Sequence, residues 1–175
     1  MKIAFIIGHN EKRQGYFSEH LDTSEWDFYK GISCELEEIG DVFFHDPTIN
    51  SYTERCKDIS ERIGTDYDLA IALHFNSYDT NVGGTECFYW HTNETTKKIA
   101  EYLSSEYSRK VDSNNRGAKP FDSVNDRGAG EIYYPKIDAV LFEPFFGDNK
   151  EDCNKWNQRV FMQIILNVTM KNIQF

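Results

Sequence analysis

His9, His74 and Glu143 each stand at the end of a run of apolar residues, and each could do acid–base or metal chemistry. The apolar runs that lead into them are Ile3 to Ile7, Leu69 to Leu73, and Ala139 to Phe142. Short continuous apolar runs of this kind predict strands that are buried on both faces of a sheet. Because the carboxyl ends of parallel strands meet at one edge, where ligands bind, we expect these three side chains to lie close together.

Glu25 is a fourth candidate, at the start of the first predicted helix and just after the loop that leaves His9. Two imidazoles and one carboxylate are a common ligand set for catalytic zinc, which keeps one position open for water. Zinc lowers the pKa of such a water to about 7, so that a nucleophile exists at neutral pH. Another carboxylate is needed beside the water to move protons, and Glu143 is left for that role.

Alternating strand and helix patterns position these groups. Apolar residues recur at helical spacing in four segments: Trp26 to Ile39 after the candidate N-cap Ser24, Tyr52 to Ile63, Ile99 to Tyr107, and Trp156 to Val168. Further short strands are predicted at 42–44 and 86–90, and the weakly periodic segment 111–135 is predicted to be a surface loop. The pattern predicts an α/β fold with a mainly parallel central sheet flanked by helices on both faces.

Length and composition narrow the class of protein. The 175 residues, 39% of them hydrophobic, predict a single domain over residues 1–175. A net charge of -10 argues against nucleic acid as a partner, and no apolar stretch approaches the roughly 20 residues needed to span a bilayer. The first apolar run is too short for a signal peptide, so we expect synthesis in the cytosol. Four cysteines without a CxxC pair predict reduced, mostly buried thiols.

Six segments resemble, in order, the motifs of zinc-dependent N-acetylmuramoyl-L-alanine amidases of the α/β branch found in phage endolysins and bacterial autolysins. They read IIGHN, SEWDFYKGIS, LAIALHFNS, GGTECFYW, NRGAK and VLFEPFFGDNKED. The resemblance implies that His9, Glu25 and His74 bind zinc and that Glu143 is the catalytic residue. It also implies a substrate, bacterial peptidoglycan, which is cut at the amide between N-acetylmuramic acid and the first L-alanine of the stem peptide.

Departures from the family pattern leave alternatives open. The first loop reads HNEKRQGYFSEH where the family is usually glycine-rich, so that Glu19 is a rival to Glu25, and HDP replaces the usual arginine after the second strand. Rival functions are another zinc amidohydrolase or carboxypeptidase, or a wall-binding module without activity. We expect a phage-type lysin, or the catalytic domain of one, that acts on the wall after release. Residues 1–175 are expected to hold no separate wall-binding domain, and whether a longer protein carries one stays open.

Other polar residues have weaker claims to the site. Asn76 is a candidate for substrate binding, although turn chemistry explains it equally well. Arg116 and Lys119 are candidates for binding stem-peptide carboxylates, or merely balance an acidic surface. The remaining histidines are assigned to the surface or to local hydrogen bonds: His20, His45 and His91. The oligomeric state, the phage or bacterial origin and the target species stay open.

Overall fold

The computed structural model describes residues 1–170; residues 171–175, which the predicted domain includes, lie outside the described part. The strands are β1 (Ile3–Ile7), β2 (Phe17–Ser18), β3 (Thr23–Ser24), β4 (Asp41–Phe44), β5 (Leu69–Leu73), β6 (Thr85–Trp90), β7 (Asn115–Phe121) and β8 (Asp138–Glu143). The helices are α1 (Glu25–Gly31), α2 (Ser33–Glu37), α3 (Tyr52–Ile63), α4 (Glu94–Val111), α5 (Gly130–Tyr133), α6 (Lys150–Lys155) and α7 (Gln158–Met170).

Six of the strands form one sheet in the order β4-β1-β5-β8-β6-β7, and β2 and β3 form a small hairpin-like pair. Every neighbouring pair in the large sheet is parallel except β6 and β8. The central strands β1, β5 and β8 therefore end at the same edge. The prediction of a mainly parallel sheet is confirmed.

Helices cover both faces of this sheet because alternate residues of each central strand point to opposite sides. Ile3, Phe5 and Ile7 pack into one core, with side chains of α1, α4 and α7. Ala4 and Ile6 pack into a second core, with side chains of α3 and α5. A strand with apolar residues at every position is the pattern that such two-sided burial requires, and the α/β class predicted from sequence is confirmed.

The structure corrects two of the sequence-based assignments. The predicted loop 111–135 contains β7 and α5; β7 is an edge strand carrying Pro120 and has little apolar pattern because it is only partly buried. The helix predicted from Trp26 to Ile39 is two helices that meet at Gly31 and Ile32, where glycine weakens helical continuity.

The cysteines are all free: Cys56, Cys87 and Cys153 are buried, and Cys34 is exposed.

Candidate metal centre

His9, Glu25 and His74 come together at the carboxyl edge of the sheet. His9 Nε2 lies 3.0 Å from Glu25 Oε2, and His74 Nδ1 lies 2.7 Å from Glu25 Oε1. One nitrogen from each histidine and one oxygen of the glutamate all lie within 4.8 Å of one another. The rival Glu19 is exposed and does not belong to this group.

The chain makes room for the two imidazoles with glycines. His9 itself has a φ of 66°, a left-handed conformation that non-glycine residues seldom adopt, directly after Gly8. A Cβ at Gly8 would lie 2.2 Å from Cε1 of His74. At Gly15, whose φ is +78°, a Cβ would lie 2.6 Å from Oε2 of Glu25 and 2.7 Å from the His9 ring. Larger residues at either position would fill the space that the three side chains share.

Glu25 owes its position to the start of α1. The N-cap Ser24 accepts a hydrogen bond from the backbone of Asp27, and the backbone N–H of Glu25 donates to the carbonyl of Tyr16. The side chain is 3% exposed, and its Oε1 also accepts from the backbone N–H of Phe75. Burial favours the neutral acid, but the charge and hydrogen bonds of His74, joined by those of His9, lower the pKa of Glu25 to about 2. Glu25 is therefore ionised, as a carboxyl group must be to bind a metal.

Behind His74 lies a second buried carboxylate that the sequence did not reveal as part of the site. Glu131, on α5, accepts from His74 Nε2 through Oε2 at 2.8 Å and from His45 Nε2 through Oε1 at 3.1 Å. Glu131 and His45 are each 1% exposed at the side chain. His45, assigned from sequence to the surface or to local hydrogen bonding, is thus buried and hydrogen-bonded to a residue far along the chain. A carboxylate on the outer nitrogen of a histidine fixes which nitrogen carries the proton and leaves Nδ1 of His74 free for a metal.

Glu143 is the last residue of β8 and lines the same cavity as the three grouped side chains. Its neighbour on β6 is Glu86, whose oxygens accept from Asn76 Nδ2 at 2.5 Å and from Arg116 Nε at 2.7 Å. Oε2 of Glu143 is buried without a hydrogen-bond partner among the described residues. Burial, with the charges of Glu86 and Glu25, raises its pKa to about 8 against the opposing charge of His74. Glu143 is therefore a carboxyl group that takes up and releases a proton near neutral pH.

The cavity beside these groups has a volume of about 480 Å³, within the range of small-molecule sites. Asn76 lines it, whereas Arg116 and Lys119 do not. Arg116 is paired with Glu86, and Lys119 is partly buried on β7. A substrate-binding role for these three residues stays a prediction. His20 and His91 are exposed, as expected.

The residues present fit a divalent metal ion. Tetrahedral zinc at about 2.0 to 2.2 Å from nitrogen and oxygen ligands places those ligands between roughly 3 and 4 Å apart, and the three donor atoms lie within 4.8 Å of one another. The set is two imidazoles and one carboxylate, with a carboxylate behind one imidazole. Two histidines and one carboxylate, with no cysteine, are a donor set typical of catalytic zinc sites, which keep one position open.

A mainly parallel sheet carries two histidines and a glutamate at its carboxyl edge, beside a cavity that Glu143 also lines. This arrangement is typical of a metal-dependent hydrolase. The chain belongs to the N-acetylmuramoyl-L-alanine amidase family, whose model matches residues 3–174. It is accordingly an enzyme that hydrolyses the amide between the sugar and the peptide of peptidoglycan. The resemblance seen in the sequence is confirmed.

Solved structures of amidases share this fold. The catalytic domain of the CD27L endolysin, which targets Clostridia difficile, is 25% identical with a TM-score of 0.77, and the match covers 99% of each chain. The CwlD amidase from Clostridioides difficile, solved in complex with the GerS lipoprotein, is 22% identical with a TM-score of 0.71 over 94% of this chain and 92% of that one. An N-acetylmuramoyl-L-alanine amidase from Clostridium difficile 630 is 17% identical with a TM-score of 0.72, over 97% and 95%. No curated protein sequence matches the chain. Within residues 1–170, no helix combines the length and apolar character needed to cross a bilayer.

Proposed function

We propose that this amidase depends on zinc, with His9, Glu25 and His74 as the ligands and Glu143 as the group that transfers protons. The observation that carries the proposal is the close approach of His9 Nε2 and His74 Nδ1 to the Glu25 carboxylate, in a group whose donor atoms lie within 4.8 Å of one another. Glu143 lines the same cavity and has an oxygen that no described residue satisfies. Each residue has the chemistry that its proposed role requires.

When bound, zinc supplies Lewis-acid chemistry that polarises the amide carbonyl and activates water for attack. The protein's own contribution is proton transfer by Glu143 and rigid placement of the ligands. The carboxyl group of Glu143 takes a proton from the attacking water and delivers it to the alanine nitrogen as the C–N bond breaks, which makes the amine a good leaving group. The raised pKa of Glu143 suits both halves of this transfer because the group is neither a strong acid nor a strong base.

Glu131 and His45 position the proposed metal ligand His74. Glu131 holds the His74 ring from its outer nitrogen, and His45 holds Glu131 from the other oxygen. Because the ligand side chains are already held in place, less conformational entropy is lost when the metal binds, and the reacting atoms stay aligned.

We further propose that the protein is an endolysin, made in the cytosol and acting on the wall after release. The 25% identity to the catalytic domain of the CD27L endolysin over nearly the whole of both chains supports this role. Fractionation of producing cells tests this role: the protein should be found in the cytosolic fraction until lysis. The purified protein should also degrade isolated cell walls. Recovery of the protein from the wall of intact growing cells would reject the endolysin role.

Metal analysis combined with product analysis tests the enzymatic proposal. The purified protein should carry one zinc per chain, and digestion of muropeptides should release free stem peptides with a new N-terminal alanine while the glycan stays intact. New reducing sugar ends would indicate a glycosidase, and release of a C-terminal alanine would indicate a carboxypeptidase. His74→Ala should lose both the metal and the activity.

A further inference from the structure

Three arginines that form no ion pair within residues 1–170 line the cavity of the metal centre. They are Arg13, Arg55 and Arg127. The chain has seven arginines. Three others form ion pairs within the described residues: Arg62, Arg109 and Arg116. The seventh is Arg159, which is exposed. In a chain with a net charge of -10, unpaired arginines gathered at one cavity indicate a ligand of negative charge.

Arg55 is the buried member of this cluster. The residue is 6% exposed, and its Nη1 donates to the backbone carbonyl of Asn50 at 3.2 Å. Its Nε is buried and has no hydrogen-bond partner among residues 1–170. A buried, charged donor without a partner is costly unless something binds it.

Asn50 links the second arginine to the first. Arg13 Nη2 donates to the side-chain oxygen of Asn50 at 3.0 Å, while the backbone of the same residue holds Arg55. Arg127 lies in the loop between β7 and α5 and is exposed. Asp126 also lines the cavity, but it forms no ion pair with any of the three. Arg55 is therefore the buried member of the group, and the two exposed arginines Arg13 and Arg127 lie around the same cavity.

We propose that Arg55, assisted by Arg13 and Arg127, forms an anion subsite that binds a free carboxylate of the stem peptide. The inference rests on the proposed amidase function and adds the substrate class, a peptide with an unmodified carboxylate close to the scissile alanine. A guanidinium group binds a carboxylate through paired N–H donors, and the bond is strong where water is excluded. The cavity volume of about 480 Å³ accommodates a short peptide segment in addition to the reacting amide.

Two synthetic muramyl peptides test this subsite. Both have the same sugar and L-alanine, and the following glutamic residue carries either a free carboxylate or the corresponding carboxamide. A hydrogen-bonded charge pair contributes about 1.5 to 3 kcal/mol, which corresponds to roughly 10- to 100-fold in kcat/KM. We expect the zinc-loaded wild type to prefer the free acid by this factor, mainly through KM.

Arg55→Gln should bring the ratio of kcat/KM for acid and amide to within about threefold of one. Arg13→Gln and Arg127→Gln should lower the ratio by about 2- to 5-fold each because their side chains are more exposed. Arg159→Gln, an unpaired arginine outside the cavity, is the matched control and should keep the wild-type ratio. Zinc content and melting temperature are measured for every variant.

Two results would overturn the subsite. One is a wild-type enzyme that cleaves acid and amide equally well; the other is an acid preference that survives in all three arginine variants. Should Arg55→Gln fail to fold, Arg13→Gln and Arg127→Gln decide the question through the same ratio. Failure of the wild type to release peptide from either substrate is a different result, since it rejects the proposed function and the subsite with it.

Discussion

Replacement of Glu131 by glutamine should weaken zinc binding although Glu131 is not one of the candidate ligands. The carboxylate uses one oxygen for His74 at 2.8 Å and the other for His45 at 3.1 Å. Glutamine has nearly the same shape but only one acceptor oxygen, so that one imidazole must face an NH₂ group and lose its acceptor. If that imidazole is His74, the ring is no longer held with Nδ1 toward Glu25.

The size of the effect follows from the bond that is lost. A charge-assisted hydrogen bond contributes about 1.5 to 3 kcal/mol, and loss of a carboxylate behind a metal-binding histidine usually costs 10- to 100-fold in affinity. We therefore expect the zinc dissociation constant of Glu131→Gln to rise by about 10- to 100-fold, measured by competition with a chromophoric chelator. Activity at saturating zinc should fall less than activity at limiting zinc.

Asp152→Asn is the matched control for this variant. Asp152 is a buried carboxylate that accepts from the backbone N–H groups of Gly84 and Phe146, and it lies outside the cavity of the metal centre. It should lower the melting temperature and leave zinc affinity at the wild-type value. Equal zinc affinity in Glu131→Gln and the wild type would refute the positioning role of Glu131, whatever happens to stability.

Three further predictions concern the same site. Glu143→Gln should keep one zinc per chain and lose at least about 10²- to 10⁴-fold in turnover, because one group supplies both proton transfers; a variant with normal zinc and near-normal turnover removes Glu143 from the mechanism. Between pH 4.5, the ordinary pKa of a glutamic acid, and pH 8, the raised pKa of Glu143, the unfolded chain releases a proton that the folded protein keeps. Stability should thus fall by up to a few kcal/mol as pH rises through this window, and urea unfolding of chelator-treated protein at both ends should show a smaller fall in Glu143→Gln. Gly15→Ala should strip the metal because its Cβ would crowd Glu25 and His9 and its φ of +78° disfavours alanine; zinc analysis would show normal occupancy if the crowding is relieved by movement of the loop.

The central strands could be predicted from sequence because burial on both faces leaves a continuous apolar run. β1 and β5 have the predicted bounds, and α3 begins at Tyr52 and ends at Ile63 before Gly64, as predicted. The edge strand β7 gave no such signal, because a strand with one neighbour and partial exposure tolerates polar residues and proline. The pattern of apolar residues in a sequence reflects burial, so that strand prediction from this pattern fails where a strand is only partly buried.

The candidate ligands could be predicted for a related reason. His9 and His74 follow strands whose position in the sheet is fixed by hydrophobic burial, so that the topology alone brings them to one edge. Glu25 needed the helix start at Ser24, which the capping pattern indicated. Predicting where these strands and this helix begin and end was therefore enough to predict that the three candidate ligands lie together.

Glu131 and His45 could not be placed in this way, because nothing local sets them apart. Glu131 lies on a helix of four residues, too short to show a period, and its partners His74 and His45 are 57 and 86 residues away in the chain. The replacement of the family's usual arginine after the second strand by HDP, at 45–47, was visible in the sequence, but its meaning was not. In the fold, His45 occupies a buried position where it hydrogen-bonds the carboxylate that also holds His74. Nε2 of His45 occupies one oxygen of Glu131 and leaves the other to accept from His74, whereas an arginine would offer several donors and compete for both oxygens. His45 thus supports the candidate ligand His74 through Glu131, and the variant His45→Arg should weaken zinc binding in the same direction as Glu131→Gln.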